Sequence, residues 1–419
     1  MSTDDLHCRP ATAEDLDRVL DIHIAAFPDD RAVEERRRHF TANPLGALED
    51  LVVAERGGDI VGQAFLYPTR AWFGGRPVRV GAIASLAVAP EARGRGTATA
   101  LLGHLHLAAD VRGDAFTMLY AFRQGFYARL AYGPSTSRRR LAIAPASVPA
   151  LWRALGRARV RRARGGDKEA IEVAYARAAA KASGWLARSE AFWARHLSCE
   201  RRQFLVADHP APSGGAAQVA GYVAFELRRD DGRGLVSLVV DELAADDDPT
   251  RLALLGALAA TRDQAAEIVL DVDHGEPLEL ALIDPDVRCG ARHVERELGT
   301  IVGGPMLRIE DVSRAIEARG YAGDGGFDVV VCAGEGQIDR TSDEIAVSMR
   351  VDGGRARVSA ARGAAAALRI TRAALASVLF GGLRPSDAVR LGLATADART
   401  LARAEAVLPL PPLGSLDRF

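Results

Sequence analysis

Residues 85–109 read SLAVAPEARGRGTATALLGHLHLAA. An apolar strand ending in Leu86, Ala87 and Val88 runs through Pro90 into the turn Arg93-Gly94-Arg95-Gly96-Thr97-Ala98, and a helix follows. A helix start carries partial positive charge and amides without intrahelical acceptors, so it can take up a phosphate. Gly94 and Gly96 let the backbone approach such a group without a Cβ in the way. Ala98 keeps the first turn small. The turn lacks both the Lys-Ser/Thr of a Walker loop and the G-x-G-x-x-G of a dinucleotide fingerprint. Taken alone it is also what an ordinary strand–helix connection looks like.

Working outward, the surroundings of this turn recur. CRPATAEDLDRVLDIHIAAF (8–27) reads as a strand, a turn capped by Thr12 with Asp15 behind it, and an amphipathic helix. VRRARGGDKEAIEVAYARAA (160–179) has the same outline. Three apolar strands follow the first copy, divided by turns at Gly57-Gly58 and Phe73-Gly74-Gly75. Three follow the second, divided at Gly214-Gly215 and Asp231-Gly232. The shared order points to a duplication. The second copy reaches its helix through Ala245-Asp246-Asp247-Asp248 instead of Arg-Gly-Arg-Gly. Those carboxylates satisfy the helix dipole themselves and repel a pyrophosphate, so the second copy is expected to bind no cofactor.

The last third changes character. Residues 325–360 alternate apolar and polar side chains around Asp352-Gly353, a strong two-residue hairpin signal. Helical patterns follow at 371–382 and 384–407, and the chain ends in LPLPPLGSLDRF. The expected domains are 1–155, 156–306 and 307–419.

With 54 Lys plus Arg against 55 Asp plus Glu, the chain lacks the basic excess of a nucleic-acid binder. Lys168 and Lys181 are its two lysines, so clusters such as Arg157–Arg164 reflect a general preference for Arg and not a patch. Cys8, Cys199, Cys289 and Cys332 have neither metal-ligand spacing nor a disulfide framework. No metal is expected. The opening MSTDDLHCRP lacks the features of a signal peptide. No apolar run reaches the ~18–20 residues of a membrane helix. The expectation is a cytoplasmic protein with no membrane or nucleic-acid partner.

The spacing R-x-x-G-x-A behind a V-A-P strand end, some seventy residues after a strand–helix opening, resembles the acetyl-CoA signature of the GNAT N-acetyltransferases. The resemblance implies that Gly94, Arg95, Gly96, Thr97, Ala98 and Thr99 hold the pyrophosphate. It also implies that Leu86, Ala87 and Val88 pair with the pantetheine arm, and that Phe122 and Arg123 line the cofactor. Downstream, F-Y-A-R-L-A-Y-G (126–133) resembles the family's F-Y-x-R-x-G-Y-G, with Ala131 in place of a glycine. Tyr127 or Tyr132 can equally be a core aromatic; position in the motif favours Tyr127.

The whole chain resembles the Eis-type (enhanced intracellular survival) acetyltransferases. The implied fold is mixed α+β, with tandem GNAT domains followed by a sterol-carrier-protein-type αβ domain. The implied assembly is a homohexamer. The implied chemistry is acetylation of a small primary amine, an aminoglycoside or polyamine, with Tyr127 as general acid and the Phe419 terminal carboxylate as general base. Three departures bear on the substrate. Tyr120 stands where relatives carry His, Arg418 replaces an acid next to Asp417, and the pocket segment reads DDRAVEERRRHF (29–40). Asp29 and His39, with Glu34 or Glu35, are the candidate substrate contacts. Lysine or protein N-acetylation, and acyl-CoA or lipid binding without catalysis, are the alternative readings.

Overall fold

The computed structural model describes residues 6–209, 218–230, 234–273, 275–283, 299–334, 344–361, 366–410 and 417. The first sheet begins β1 (Leu6–Pro10), β2 (Leu51–Arg56), β3 (Asp59–Phe73), β4 (Arg76–Val88) and β5 (Phe116–Leu119), adjacent in that order. Two-residue hairpins need positive φ, and Gly57-Gly58 (61° and 90°) and Gly74-Gly75 (56° and 82°) supply it. β5 is parallel to β4, so the link must cross over, and the helix does so. The helices here are α1 (Leu16–Ala26), α2 (Val33–Thr41), α3 (Thr97–Arg112) and α4 (Gln124–Ala128); the short β6 (Gly133–Pro134) closes the region.

The second sheet repeats this plan. Its elements are β7 (Ser137–Ile143), α5 (Ala150–Arg159), β8 (Val160–Arg162), α6 (Lys168–Ala180), α7 (Glu190–Leu197), β9 (Gln203–Asp208), β10 (Val219–Asp230), β11 (Leu235–Ala245), α8 (Asp248–Leu258), β12 (Glu267–Asp273) and β13 (Gly299–Gly303). β11 runs parallel to β12 and is joined to it through α8, as β4 is joined to β5 through α3. The turns expected at Gly214-Gly215 and Asp231-Gly232 lie outside the described residues.

The two sheets exchange strands, so they do not follow the expected divisions at 155 and 306. β7 leaves the first region and pairs with β12 and β13 of the second sheet. β14 (Met306–Ile309) returns to the first sheet and inserts between β5 and β6. Charge pairing fits β7 to its place: Arg140 bonds the Asp271 carboxylate at 2.7 and 2.9 Å, and buried Arg138 lies 3.7 Å from it. β14 is anchored by buried Arg308, whose Nε donates to Leu130 O at 3.1 Å.

The third sheet has the order β17-β16-β15-β18-β19. Its strands are β15 (Gly325–Cys332), β16 (Ile345–Asp352), β17 (Arg355–Ala360), β18 (Ala367–Thr371) and β19 (Ala394–Thr395), and the Asp352-Gly353 hairpin forms as expected. Helices α9 (Val312–Ala318), α10 (Arg372–Phe380), α11 (Pro385–Arg390) and α12 (Ala398–Val407) cover it. Its core is continuous with one face of the first sheet, where Phe73 stacks on Phe116 and meets Phe380 edge-on at 5.2 Å. Fully buried Arg319 donates to Leu379 O and Leu408 O, both at 2.7 Å, and so fixes the end of α12 from which the tail departs.

Candidate active site

β4 and β5 pair from Val80/Phe116 to Ile83/Leu119 and then part. The parting begins at a bulge on β4. Ala84 faces Phe65 and Ala87 faces Gln63, with Ser85 held at φ 52° between them. A non-glycine residue there costs about 1–2 kcal/mol, and the bulge bends the strand. Beyond it, Leu86, Ala87 and Val88 keep β3 on one side and have no strand on the other among the described residues. Such an edge suits an extended amide-bearing arm added as a strand. The bulge is tied to α2 by His39, whose Nε2 lies 2.9 Å from Ser85 Oγ.

The edge leads directly into the turn before α3. Gly94 (φ 75°) and Gly96 (φ 79°) have left-handed backbones, and Gly96 caps the helix. Ala100 N–H donates to Gly96 O at 3.0 Å, whereas the amides from Gly94 to Thr99 make no hydrogen bond among the described residues. Thr97 is buried, with its methyl side against Gly62, which holds the helix start close to β3. A cradle of free amides at the end of an open strand edge fits a pyrophosphate followed by a pantetheine arm. Phe122 is 76% exposed on the far side of the opening, edge-on to Tyr127 at 6.1 Å, and Arg123 is the residue before α4.

The two candidate tyrosines differ sharply. The Tyr132 hydroxyl lies 2.9 Å from His106 Nε2 and 3.0 Å from Thr117 Oγ1; Thr117 in turn donates to Glu310 at 2.5 Å, and Glu310 pairs with Arg308. Tyr132 is therefore committed to a buried polar network. Tyr127 is equally buried, yet its hydroxyl has no hydrogen bond among the described residues. Burial pushes its pKa up to about 12, so it stays protonated at neutral pH. Between them, Ala131 adopts φ 64°, the left-handed conformation that a glycine at this place would take without strain.

Residues 7–135 and 184–309 each match a model of the acetyltransferase (GNAT) domain, and residues 312–412 match the sterol carrier protein domain. The N-acetyltransferase Eis of Mycobacterium tuberculosis (strain ATCC 25177 / H37Ra) is 29% identical over 413 residues, 95% of each chain. A GCN5-related N-acetyltransferase from Kribbella flavida superposes with a TM-score of 0.80 at 24% identity, covering 100% of this chain and 99% of that one. Eis1 from Mycobacterium abscessus superposes with a TM-score of 0.74 at 21% identity, covering 99% and 100%.

The chain carries two GNAT acetyltransferase domains and is similar along its length to the N-acetyltransferase Eis. Acetyl-CoA is the co-substrate of GNAT domains, and the first of the two here has the open edge and free amides it needs. The second has the same splay but a closed helix start. β11 and β12 pair only from Ser237/Glu267 to Val239/Val269, and a bulge follows at Asp241. There the Asp247 carboxylate accepts from Thr250 N at 2.8 Å, and Pro249 occupies the first turn. Asp246 takes the Arg177 guanidinium at 2.9 Å. Asp246 and Asp247, which stand in the place of the glycine turn, are thus bonded within the protein.

The segment 29–40, expected from the sequence to meet the substrate, is less acidic than its sequence suggests. Asp29 is bound by Arg31 at 2.5 Å and by buried Arg36 at 2.6 Å. The hydrogen bonds from Arg31 hold its pKa down at about 2. His39 is half-buried, and the loss of solvent around it lowers its pKa to about 4, so it is neutral at pH 7. Phe27 (38%), just before this segment, and Val33 (58%), within it, are exposed. Phe419 and Arg418 lie outside the described residues; Asp417 does not. Its carbonyl accepts from Tyr120 Oη at 3.0 Å, and its carboxylate meets Arg188 at 2.5 Å. Neither Tyr120 nor Arg188 was among the expected site residues, because the pairing spans most of the chain. Among the described residues no group of His, Cys, Asp or Glu is placed to hold a metal, and no helix is long and apolar enough to cross a membrane.

Proposed function

We propose that the first GNAT domain transfers the acetyl group of acetyl-CoA to a small primary amine, with Tyr127 as general acid and the Phe419 terminal carboxylate as general base. The observation that carries this reading is the contrast between the two tyrosines: Tyr132 is fully committed to neighbours, and Tyr127, on the short helix that follows β5, holds an uncommitted, protonated hydroxyl. The anchoring of Asp417 on Tyr120, the residue after β5, supports the terminal carboxylate as base.

An amine of pKa ~10 arrives as ammonium at neutral pH and must first lose a proton. The carboxylate takes that proton. The nitrogen lone pair then attacks the thioester carbonyl, the C–N bond forms and the C–S bond breaks. Sulfur leaves with the Tyr127 proton, and the nitrogen's second proton returns to the phenolate. The carboxylate releases its proton to solvent, so the balance is an amide, free CoA and one proton.

The acceptor side, with Asp29 neutralised by Arg31 and Arg36 and with Phe27 and Val33 exposed, favours an amine on an apolar body over an aminoglycoside or polyamine. His39 then acts as a neutral hydrogen-bonding wall. A homohexamer is part of the same proposal, and sedimentation tests it. A cytoplasmic location belongs to the same reading. Free-thiol release from acetyl-CoA across arylalkyl amines, polyamines, aminoglycosides and lysine peptides tests the function. Turnover confined to lysine peptides moves the reading to protein acetylation, and a flat response moves it to acyl-CoA binding without catalysis.

A further inference from the structure

Arg188 precedes α7 in the second GNAT domain, and its side chain is 1% exposed. Its guanidinium lies over the rings of Tyr175 at 4.0 Å and Trp193 at 4.7 Å. One edge pairs with the Glu242 carboxylate, which also accepts from Tyr222 Oη. All of these groups belong to the second domain and none to the tail. The other donors bind Asp417: Nη2 to Oδ1 at 2.5 Å and Nε to Oδ2 at 3.1 Å, with Tyr175 Oη donating at 3.2 Å. His196, 4.0 Å from Glu242, stays neutral because burial lowers its pKa to about 3, so Arg188 is the cation that binds both acids. This corner borders a cavity of about 660 Å³ in the splay of β11 and β12, with Asp241, Glu242, Asp271 and Asp417 in its wall. The position that holds acetyl-CoA in a working copy is here a charged recess.

We infer that Arg188 and Glu242 form a preformed seat for the Asp417 carboxylate, and that Arg188 is thereby a positioning residue that fixes the chain end for acetyl transfer. The inference rests on the terminal carboxylate acting as base. Two residues of extended chain span at most about 7 Å, so seating Asp417 confines the terminal carboxylate to the mouth at Tyr120. The degenerate domain contributes to catalysis by holding the tail and not by binding a cofactor. Arg418 needs no acidic role under this arrangement, because Asp417 supplies the anion that the seat requires.

The test uses Asp417→Asn, which keeps the shape and leaves the Arg188–Glu242 pair intact, and Arg188→Met as the stricter variant. Each is made in the full chain and again with Phe419 deleted. Misplacement of a reacting group costs about 100-fold, so kcat should fall by about that much in Asp417→Asn while the acetyl-CoA Kd is unchanged. In the Phe419-deleted background the same substitution should cost nothing further, because the terminal carboxylate, now on Arg418, is already one residue short of its place. Wild-type kcat for Asp417→Asn beside an inactive deletion overturns the seat and leaves the base standing. An equal further loss in the deleted background also overturns it, since that is a purely structural effect. If the deletion itself keeps full kcat, the base reading fails. Carboxypeptidase release of Phe419 then decides the seat separately: faster release from Asp417→Asn supports it, and an unchanged rate overturns it. If Arg188→Met does not fold, Asp417→Asn carries the test alone.

Discussion

The two GNAT copies share strand order, a parallel pair that parts after a bulge, and a helix that bridges the parting. They differ at the helix start. Gly96-Thr97 leaves its amides open, whereas at the second helix start the Asp247 carboxylate takes the Thr250 amide and Pro249 has none to offer. The comparison teaches that one scaffold can present a helix start with open backbone donors or with occupied ones. The scaffold around them can stay the same while the domain takes up another task.

The largest effect should come from making the first helix start resemble the second. Gly96→Asp places a carboxylate where the pyrophosphate goes and forces a β-carbon onto φ 79°; calorimetry should find acetyl-CoA affinity down by about 100-fold or more. The native chain should titrate with one acetyl-CoA per subunit, and a second site would break the comparison. Next comes the split between the tyrosines. Tyr127→Phe should lower kcat about 100-fold or more with little change in melting temperature. Tyr132→Phe leaves buried His106 without its Nε2 partner, while Thr117 keeps Glu310, so it should cost about 1–3 kcal/mol of stability and affect turnover mainly through that loss.

Acid should expose a smaller asymmetry. Burial holds His23 and His39 in the first copy at a pKa of about 4 and His196 in the second at about 3. Unfolded, each takes its proton near pH 6.5. The unfolded chain therefore binds more protons as pH falls below ~6.5, and stability declines from there toward pH 4. Hydrogen exchange at pH 7 and pH 5 should find amides of the first copy losing more protection than those of the second. The smallest effect is Asp247→Ala, which removes the side-chain cap of α8 and should cost about 1 kcal/mol by denaturant unfolding without changing turnover.

The features that could be read in the sequence are those set by near neighbours. The glycine turn, the Asp246–Asp248 helix start, the Thr12–Asp15 cap and the Asp352-Gly353 hairpin each depend on residues a few places apart. Long-range pairing left no such trace. β7 and β14 look like ordinary strands, and only their partners across the chain place each in the other copy's sheet. Tyr127 and Tyr132 are separated by His106, Thr117 and Glu310, which no local window contains. Asp29 is a different case. Arg31 and Arg36 lie two and seven residues on, and their pairing with it could have been anticipated had the arginines not been discounted as a compositional bias.

The crossing of β7 and β14 also governs how the molecule can come into being. As the chain leaves the ribosome, the first sheet cannot place a strand between β5 and β6 until residues 306–309 have been made. β7 emerges early and must wait for β12 and β13. The two copies therefore cannot mature one after the other as independent beads. They reach their native pairing together, late in synthesis, with long stretches of chain held unfinished in between.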